Sequence, residues 1–176
     1  MSGIHASFPR SPEAIANAVL VVDPEHNAEL LHHDVDGDGK DETFCNYFVH
    51  QVTTLLACQV PKIRANDQID WLKGEGSAVH GWRQVFPQGA MEAAGRGEPV
   101  LVGWKNPEPR RDSTGKQLLD EHGKPLYRPG HIALVRATPA GERGVWITQA
   151  GATNFNLDRL IRGFGNHAPL LFFAHA

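Results

Sequence analysis

The chain changes from helical to strand-type patterning partway along its length. Apolar residues recur at helical spacing in residues 11–22 and 44–56, whereas residues 99–104, 131–135, 145–148 and 170–173 are short runs typical of buried strands. Helices that come first and strands that follow indicate an α+β fold, with the helices packed on an antiparallel sheet. The 176 residues are enough for one core, so we expect a single domain over residues 1–176.

Shorter segments punctuate this pattern. Residues 65–72 and 81–86 are predicted to be short helices, and residues 91–94 to form a further helical turn. Between the first two strands, residues 105–129 form a polar insertion with two expected turns, at 112–116 and 120–124. This insertion is predicted to be a protruding hairpin or a mobile loop. The insertion could be a solvent-exposed loop with no part in a site, or it could form the rim of a site, and both interpretations stay open here.

Composition excludes several classes of protein. Seventeen Lys and Arg residues against twenty Asp and Glu give a net charge of -3, without the basic stripe that nucleic-acid binding needs. No apolar run approaches the length of a membrane span, and residues 1–12 lack the pattern of a Sec signal. We therefore expect a soluble protein made without a Sec signal, with no membrane or nucleic-acid partner. Cys45 and Cys58 are expected to be free thiols, since a shared helix would hold them too far apart to bridge.

Cys45 is the candidate nucleophile. Phe44, Phe48 and Val52 recur at helical spacing, and Thr43 is predicted to cap this helix through its side chain, which places Cys45 in the first turn. Unpaired backbone N–H groups at a helix start favour a thiolate, so the pKa of Cys45 is expected to be lowered. The alternative is a buried structural thiol.

A thiolate nucleophile needs a proton acceptor, and that acceptor needs a further group that orients it. His131 begins a buried strand directly after Pro129 and Gly130, and is the candidate general base. Gln149 is the first candidate for the orienting group and Asn154 the second, because an amide oxygen can accept the imidazole N–H. Both could instead be ordinary strand-end and turn residues.

An acidic loop lies just before Cys45. Carboxylates at 34, 36 and 38, followed by glycine at 39, have the spacing of the first half of an EF-hand loop, which predicts a structural Ca²⁺ site. The twelfth position is Cys45 rather than Glu, so further ligands would come from the carbonyl of residue 40 and from residue 42. A solvated acidic turn is the alternative, and no organic cofactor is expected. The candidate ligands are Asp34, Asp36, Asp38, Lys40 and Glu42.

These motifs together resemble a known group of enzymes. Cys45 followed by Asn46-Tyr47-Phe48-Val49, and later Gly130-His131-Ile132-Ala133-Leu134-Val135 with a polar strand end, are similar to papain-like cysteine amidases and peptidases. That group includes CHAP endolysin domains, their NlpC-type relatives and amidase effectors of bacterial secretion systems. The resemblance covers residues 34–156 and implies a papain-like fold, with the catalytic dyad where a helix packs on the sheet.

The resemblance also implies site roles and a substrate. Cys45 matches the nucleophile and His131 the base, while Gln149 stands where the group commonly has Glu, Asp, Asn or His. Some CHAP domains carry a calcium loop shortly before the cysteine, which the acidic loop resembles. The implied substrate is peptidoglycan, cut at an amide bond of the stem peptide or of the glycan–peptide link.

The resemblance therefore implies a peptidoglycan hydrolase that is made in the bacterial cytoplasm and acts on the cell wall as a delivered antibacterial effector or as a lysin. An effector would imply a cognate immunity protein in the producing cell. Two alternatives stay open. One is a cysteine peptidase or acyl transferase that acts on proteins, and the other is a non-enzymatic calcium-binding module.

Overall fold

A computed structural model describes residues 10–34 and 42–176 of the chain. Within these residues, helices and strands alternate irregularly along the sequence. In chain order they are α1 (Pro12–Val22), α2 (Cys45–Leu55), α3 (Ala65–Lys73), α4 (Glu75–Val79), β1 (Trp82–Val85), α5 (Pro87–Gly95), β2 (Val100–Trp104), β3 (His131–Arg136), β4 (Trp146–Gln149), β5 (Phe155–Arg159), α6 (Leu160–Phe164) and β6 (Leu171–His175).

The strands form one antiparallel sheet in the order β1-β6-β2-β3-β4-β5. The predicted α+β class with an antiparallel sheet is confirmed. All four predicted strands are present, as β2, β3, β4 and β6, with ends shifted by one or two residues. No helix of the described residues is both long and apolar enough to cross a bilayer.

Helices cover both faces of the sheet. Because side chains alternate along a strand, Leu101, Ile132 and Leu134 point towards α1, α2 and α3, whereas Val102 and Ala133 point towards α5 and α6. The central strands β2 and β3 are therefore buried on both sides, which explains their nearly continuous apolar sequences.

Residues 81–86 were predicted to be helical, and this is wrong. Trp82–Val85 is the edge strand β1, which pairs with β6 so that Trp82 lies opposite His175. Pairing with the exposed edge of β6, together with complete burial of Trp82, outweighs the weak local helical signal. The pattern also missed β5, α4 and α6, and α5 begins at Pro87, ahead of the predicted turn at 91–94.

Residues 105–129, here called the arm, are held by their own backbone hydrogen bonds. Arg110 N–H donates to Leu126 at 2.8 Å, Leu126 N–H to Leu118 at 2.9 Å, and Leu118 N–H back to Arg110 at 2.9 Å, which closes a ring of three. Both predicted turns are present, with Gly115 N–H bonded to Asp112 and Gly123 N–H to Asp120, each at 3.0 Å. The arm matches the hairpin alternative rather than an irregular loop.

Candidate functional site

A cleft of about 730 Å³ opens beside the start of α2. Its walls come from three elements: the start of α2, the start of α3, and the returning leg of the arm. The insertion therefore forms the rim of this cleft rather than a remote excursion. The lining residues are 42–47, 64–67, 70, 105, 110, 120 and 124–130.

Cys45 is the first residue of α2 and lines the cleft, although its side chain is only 3% exposed. The prediction that Thr43 caps the helix is wrong. Phe44 occupies the N-cap position and no side chain caps the helix there. The Phe44 ring is buried and stacks on His33 with centroids 4.5 Å apart, so packing rather than capping sets where α2 begins.

Burial raises the pKa of Cys45 to about 11, against the lowered pKa expected from its position. Desolvation of the thiolate is the main cause. Backbone N–H groups of Ile132, Asn46 and Cys45 itself act in the opposite direction and do not offset it. The isolated protein therefore holds Cys45 as a neutral thiol at neutral pH.

His131 begins β3, and its Nε2 lies 2.7 Å from Gln149 Oε1. The amide nitrogen of Gln149 in turn donates to the Thr153 carbonyl at 2.8 Å, which fixes the orientation of the amide. Since an amide oxygen only accepts, His131 donates its Nε2–H and keeps a lone pair on Nδ1. Burial lowers the pKa of His131, although the Gln149 hydrogen bond works the other way, so the imidazole is neutral at pH 7. Its ring also packs against Phe164 at 4.7 Å.

The structure brings the start of α2 against the start of β3. The Ile132 backbone N–H, one residue after His131, is directed at the Cys45 sulfur, and Gly130, one residue before it, lines the cleft. Cys45 therefore lies against the residue that follows His131, whereas the His131 side chain contacts Gln149 and Phe164, and Phe164 belongs to the apolar cluster on the other face of the sheet from Cys45.

Asn154 has a different role from the one predicted. Its Oδ1 accepts from Gly151 N–H at 3.0 Å, and its Nδ2 donates to the carbonyls of Pro24 at 2.8 Å and Leu30 at 2.9 Å. Asn154 therefore fastens the connection after α1 to the turn after β4. Gln149, and not Asn154, contacts the imidazole, because the side chain of Gln149 alone faces it from the neighbouring strand.

Two residues near the junction were not singled out from the sequence. Gln68 is fully buried in α3, where its Nε2 donates to the carbonyls of Asn46 at 3.0 Å and Pro61 at 2.8 Å. His32 donates from Nε2 to the Gly151 carbonyl, and Gly151 packs on the His131 ring. A polar residue on the apolar face of α3 was a usable signal for Gln68, whereas nothing local marked His32.

The predicted calcium ligands fall largely outside the described residues. Asp36, Asp38 and Lys40 lie there, while Asp34 and Glu42 flank the segment, whose ends meet where Glu42 N–H donates to the His33 carbonyl at 3.0 Å. Among residues 10–34 and 42–176, no cluster of three or more His, Cys, Asp or Glu residues could hold a metal. Calcium binding by the complete loop stays a prediction.

Comparison with known sequences assigns no family to the chain. No protein-family model matches the chain, and no curated protein is significantly similar to it.

Proposed function

We propose that the chain is a papain-like cysteine amidase that hydrolyses an amide bond of peptidoglycan. One observation carries the proposal. Cys45 opens a helix beside a large cleft, and the strand that begins with His131, whose Nε2 is held by Gln149, directs its Ile132 N–H at the Cys45 sulfur. A nucleophile, a base and an orienting group are the parts that acyl transfer requires.

In the proposed reaction His131 acts first as a base. Its Nδ1 takes the proton of the Cys45 thiol as the sulfur attacks the amide carbonyl carbon. The resulting tetrahedral oxyanion accepts a hydrogen bond from the Cys45 backbone N–H, which has no partner within the helix. His131 then gives its proton to the leaving amine as the C–N bond breaks. Water attacks the thioester with His131 again as base, which releases the acid and restores the thiol.

The choice of peptidoglycan rests on the resemblance of the Cys45 and His131 motifs to wall-cleaving amidases. The cleft has room for a branched peptide, and its walls carry both charged and aromatic side chains. Delivery as an effector, with a cognate immunity protein, or action as a lysin both fit this activity.

Digestion of purified sacculi tests the proposal. Wild-type protein, Cys45→Ala and the matched thiol control Cys58→Ala are incubated with sacculi and calcium, and released fragments are identified by mass spectrometry. Cys58 is buried outside the cleft lining. Fragments from wild type and Cys58→Ala but not from Cys45→Ala are expected, and their masses name the bond. Folded wild-type protein that releases nothing contradicts the proposal, and cleavage of a protein substrate instead would favour the peptidase alternative.

One observation favours a second candidate, the non-enzymatic module. Cys45 is almost fully buried and its pKa is raised, as for a structural thiol. In that case sacculi remain intact and the Cys45→Ala variant keeps every binding property of the wild type.

A further inference from the structure

The arm forms one wall of the cleft, and this wall is rich in cations. Four of its basic residues line the cleft, but two of them are already paired. Lys105 Nζ lies 2.5 Å from Asp70, and Arg128 lies 3.0 Å from Glu108.

Arg110 and Lys124 are different. Neither forms a salt bridge with any residue in the described parts of the chain, and both line the cleft. The one arm carboxylate on this wall, Asp120, is occupied by its own turn, where Oδ1 accepts the backbone N–H groups of His122 at 2.9 Å and Lys124 at 2.8 Å. Two positive charges therefore face the cleft without a neutralising partner on their own wall.

The backbone at both positions is held in place. The backbone N–H of Arg110 donates to the Leu126 carbonyl, and the Arg110 carbonyl accepts the Leu118 N–H. Lys124 donates its N–H to Asp120 Oδ1, and its carbonyl accepts the Asp120 N–H at 2.9 Å. The cations thus extend from an ordered frame, which lowers the entropic cost of holding a ligand between them.

The opposite walls carry no excess of positive charge. The segment before α2 and the helix α3 with its N-cap contribute one cation, Arg64, and three carboxylates, Glu42, Asp67 and Asp70, to the lining. The positive side of the cleft is therefore the arm side, and an anionic group of a bound ligand is directed there.

We propose that Arg110 and Lys124 bind a carboxylate of the peptide whose amide bond is attacked, and so determine substrate specificity. The inference rests on the proposed function for the identity of the peptide. Guanidinium and ammonium groups bind carboxylates through charge-assisted hydrogen bonds, and the arm places these groups in the cleft that Cys45 lines. Stem peptides of peptidoglycan carry such carboxylates, and substrates without one are poorer ligands.

Binding to an inactivated protein tests this independently of turnover. The probes are muropeptide monomers from one preparation, used either as free acids or after coupling of their carboxylates to methylamine. Titration calorimetry at low salt measures Kd on three proteins, all carrying Cys45→Ala: that variant alone, one with Arg110→Gln and Lys124→Gln, and a charge-matched control with Lys116→Gln and Arg143→Gln. Lys116 and Arg143 are exposed, make no salt bridge within the described residues and lie outside the cleft lining.

The Cys45→Ala parent and the Lys116 and Arg143 control are expected to bind the free acid at least about tenfold more tightly than the amide. The variant that also carries Arg110→Gln and Lys124→Gln is expected to lose this preference. Equal binding of acid and amide by the parent, no binding of either, or a preference that survives in that variant each overturns the inference. Sacculus digestion fails or succeeds separately, so carboxylate-dependent binding without hydrolysis would overturn the proposed function alone.

Discussion

At Cys45 two effects on one thiol oppose each other. The helix start and three backbone N–H groups favour the thiolate, whereas burial favours the thiol, and burial is the larger effect. A neutral thiol and a neutral imidazole differ from a preformed ion pair. If the two residues act together as proposed, the proton moves only when a substrate arrives, and the orientation of His131 is then decisive.

The pH dependence of alkylation distinguishes these two states. If the pKa of Cys45 is about 11, the rate of carboxamidomethylation by iodoacetamide rises about tenfold per pH unit from pH 7 towards that value. A preformed thiolate–imidazolium pair would instead give a rate that is already high and flat near neutral pH. The modified residue is identified by mass spectrometry, and Cys45→Ala reports the slower reaction of Cys58, whose pKa burial raises to about 12.

Gln149 contacts His131, and substitutions at Gln149 separate the effect of orientation from the effect of charge. Gln149→Ala removes the 2.7 Å hydrogen bond to Nε2 and is expected to lower kcat about tenfold, near the value of one such bond. Gln149→Glu keeps an acceptor but adds a negative charge, which raises the pKa of His131. If the neutral imidazole is the base, as proposed, the acidic limb of the pH–rate profile then moves to higher pH. A limb that stays in place would show that Gln149 does not contact the working base.

At the scale of elements, one clasp joins the arm to α3. The Asn66 side chain donates to the Arg128 carbonyl at 3.1 Å, and its Oδ1 accepts the Asn106 N–H at 3.0 Å. Asn66 therefore binds both legs of the arm at their base, immediately before Gly130 and His131. The clasp therefore holds the arm wall next to the start of β3.

Gly130 is required by this close approach. A Cβ there would lie 2.2 Å from Asn66 Oδ1 and 2.5 Å from the Trp104 carbonyl, so Gly130→Ala must displace backbone. We expect it to lower the free energy of unfolding by about 1–3 kcal/mol, measured by urea denaturation. Gly95→Ala is the control, since a Cβ at that position meets no atom within 4 Å. Equal stability of the two variants would contradict the tight clasp.

At the scale of the whole molecule, the sheet is covered on both faces, and this packing buries the imidazole of His131. His131 has a lowered pKa in the folded state, so on acidification the unfolded chain takes up this proton first. The contribution of His131 to stability is complete above about pH 6.5, the unfolded pKa, and is lost as the pH falls through the lower folded value.

Thermal unfolding between about pH 7 and pH 5 measures this effect. The melting temperature of the wild type is expected to fall over this range. In the His131→Gln variant the melting temperature is expected to fall less. A residual slope is expected from His175, whose pKa burial also lowers. An unchanged slope in His131→Gln would show that the imidazole is not buried as a neutral group.

The acidic loop gives a separate test of the complete chain. If it binds structural calcium, millimolar Ca²⁺ raises the melting temperature and EGTA reverses the rise, because a ligand that binds only the folded state stabilises it. Asp38→Asn should weaken the response. A melting temperature that changes with neither calcium nor EGTA would contradict the prediction of a calcium site.

Local sequence was sufficient to predict the central elements. Strands β2 and β3 are buried on both faces, so their runs of apolar residues are visible without knowing their neighbours. The position of Cys45 in the first turn of a helix and of His131 at the start of a strand followed in the same way, because both depend on periodicity over a few residues.

Tertiary structure decided the rest. Trp82–Val85 is a strand only because the edge of β6 is available to pair with it. Gln149 rather than Asn154 reaches His131 because β4 places it beside β3, while Asn154 is drawn to Pro24 and Leu30. The pKa of Cys45 depends on how much water the packed helices remove, and the arm lines a cleft because Asn66 clasps its base. Each of these outcomes depends on residues distant in the chain, whose contacts form only when the fold brings them together.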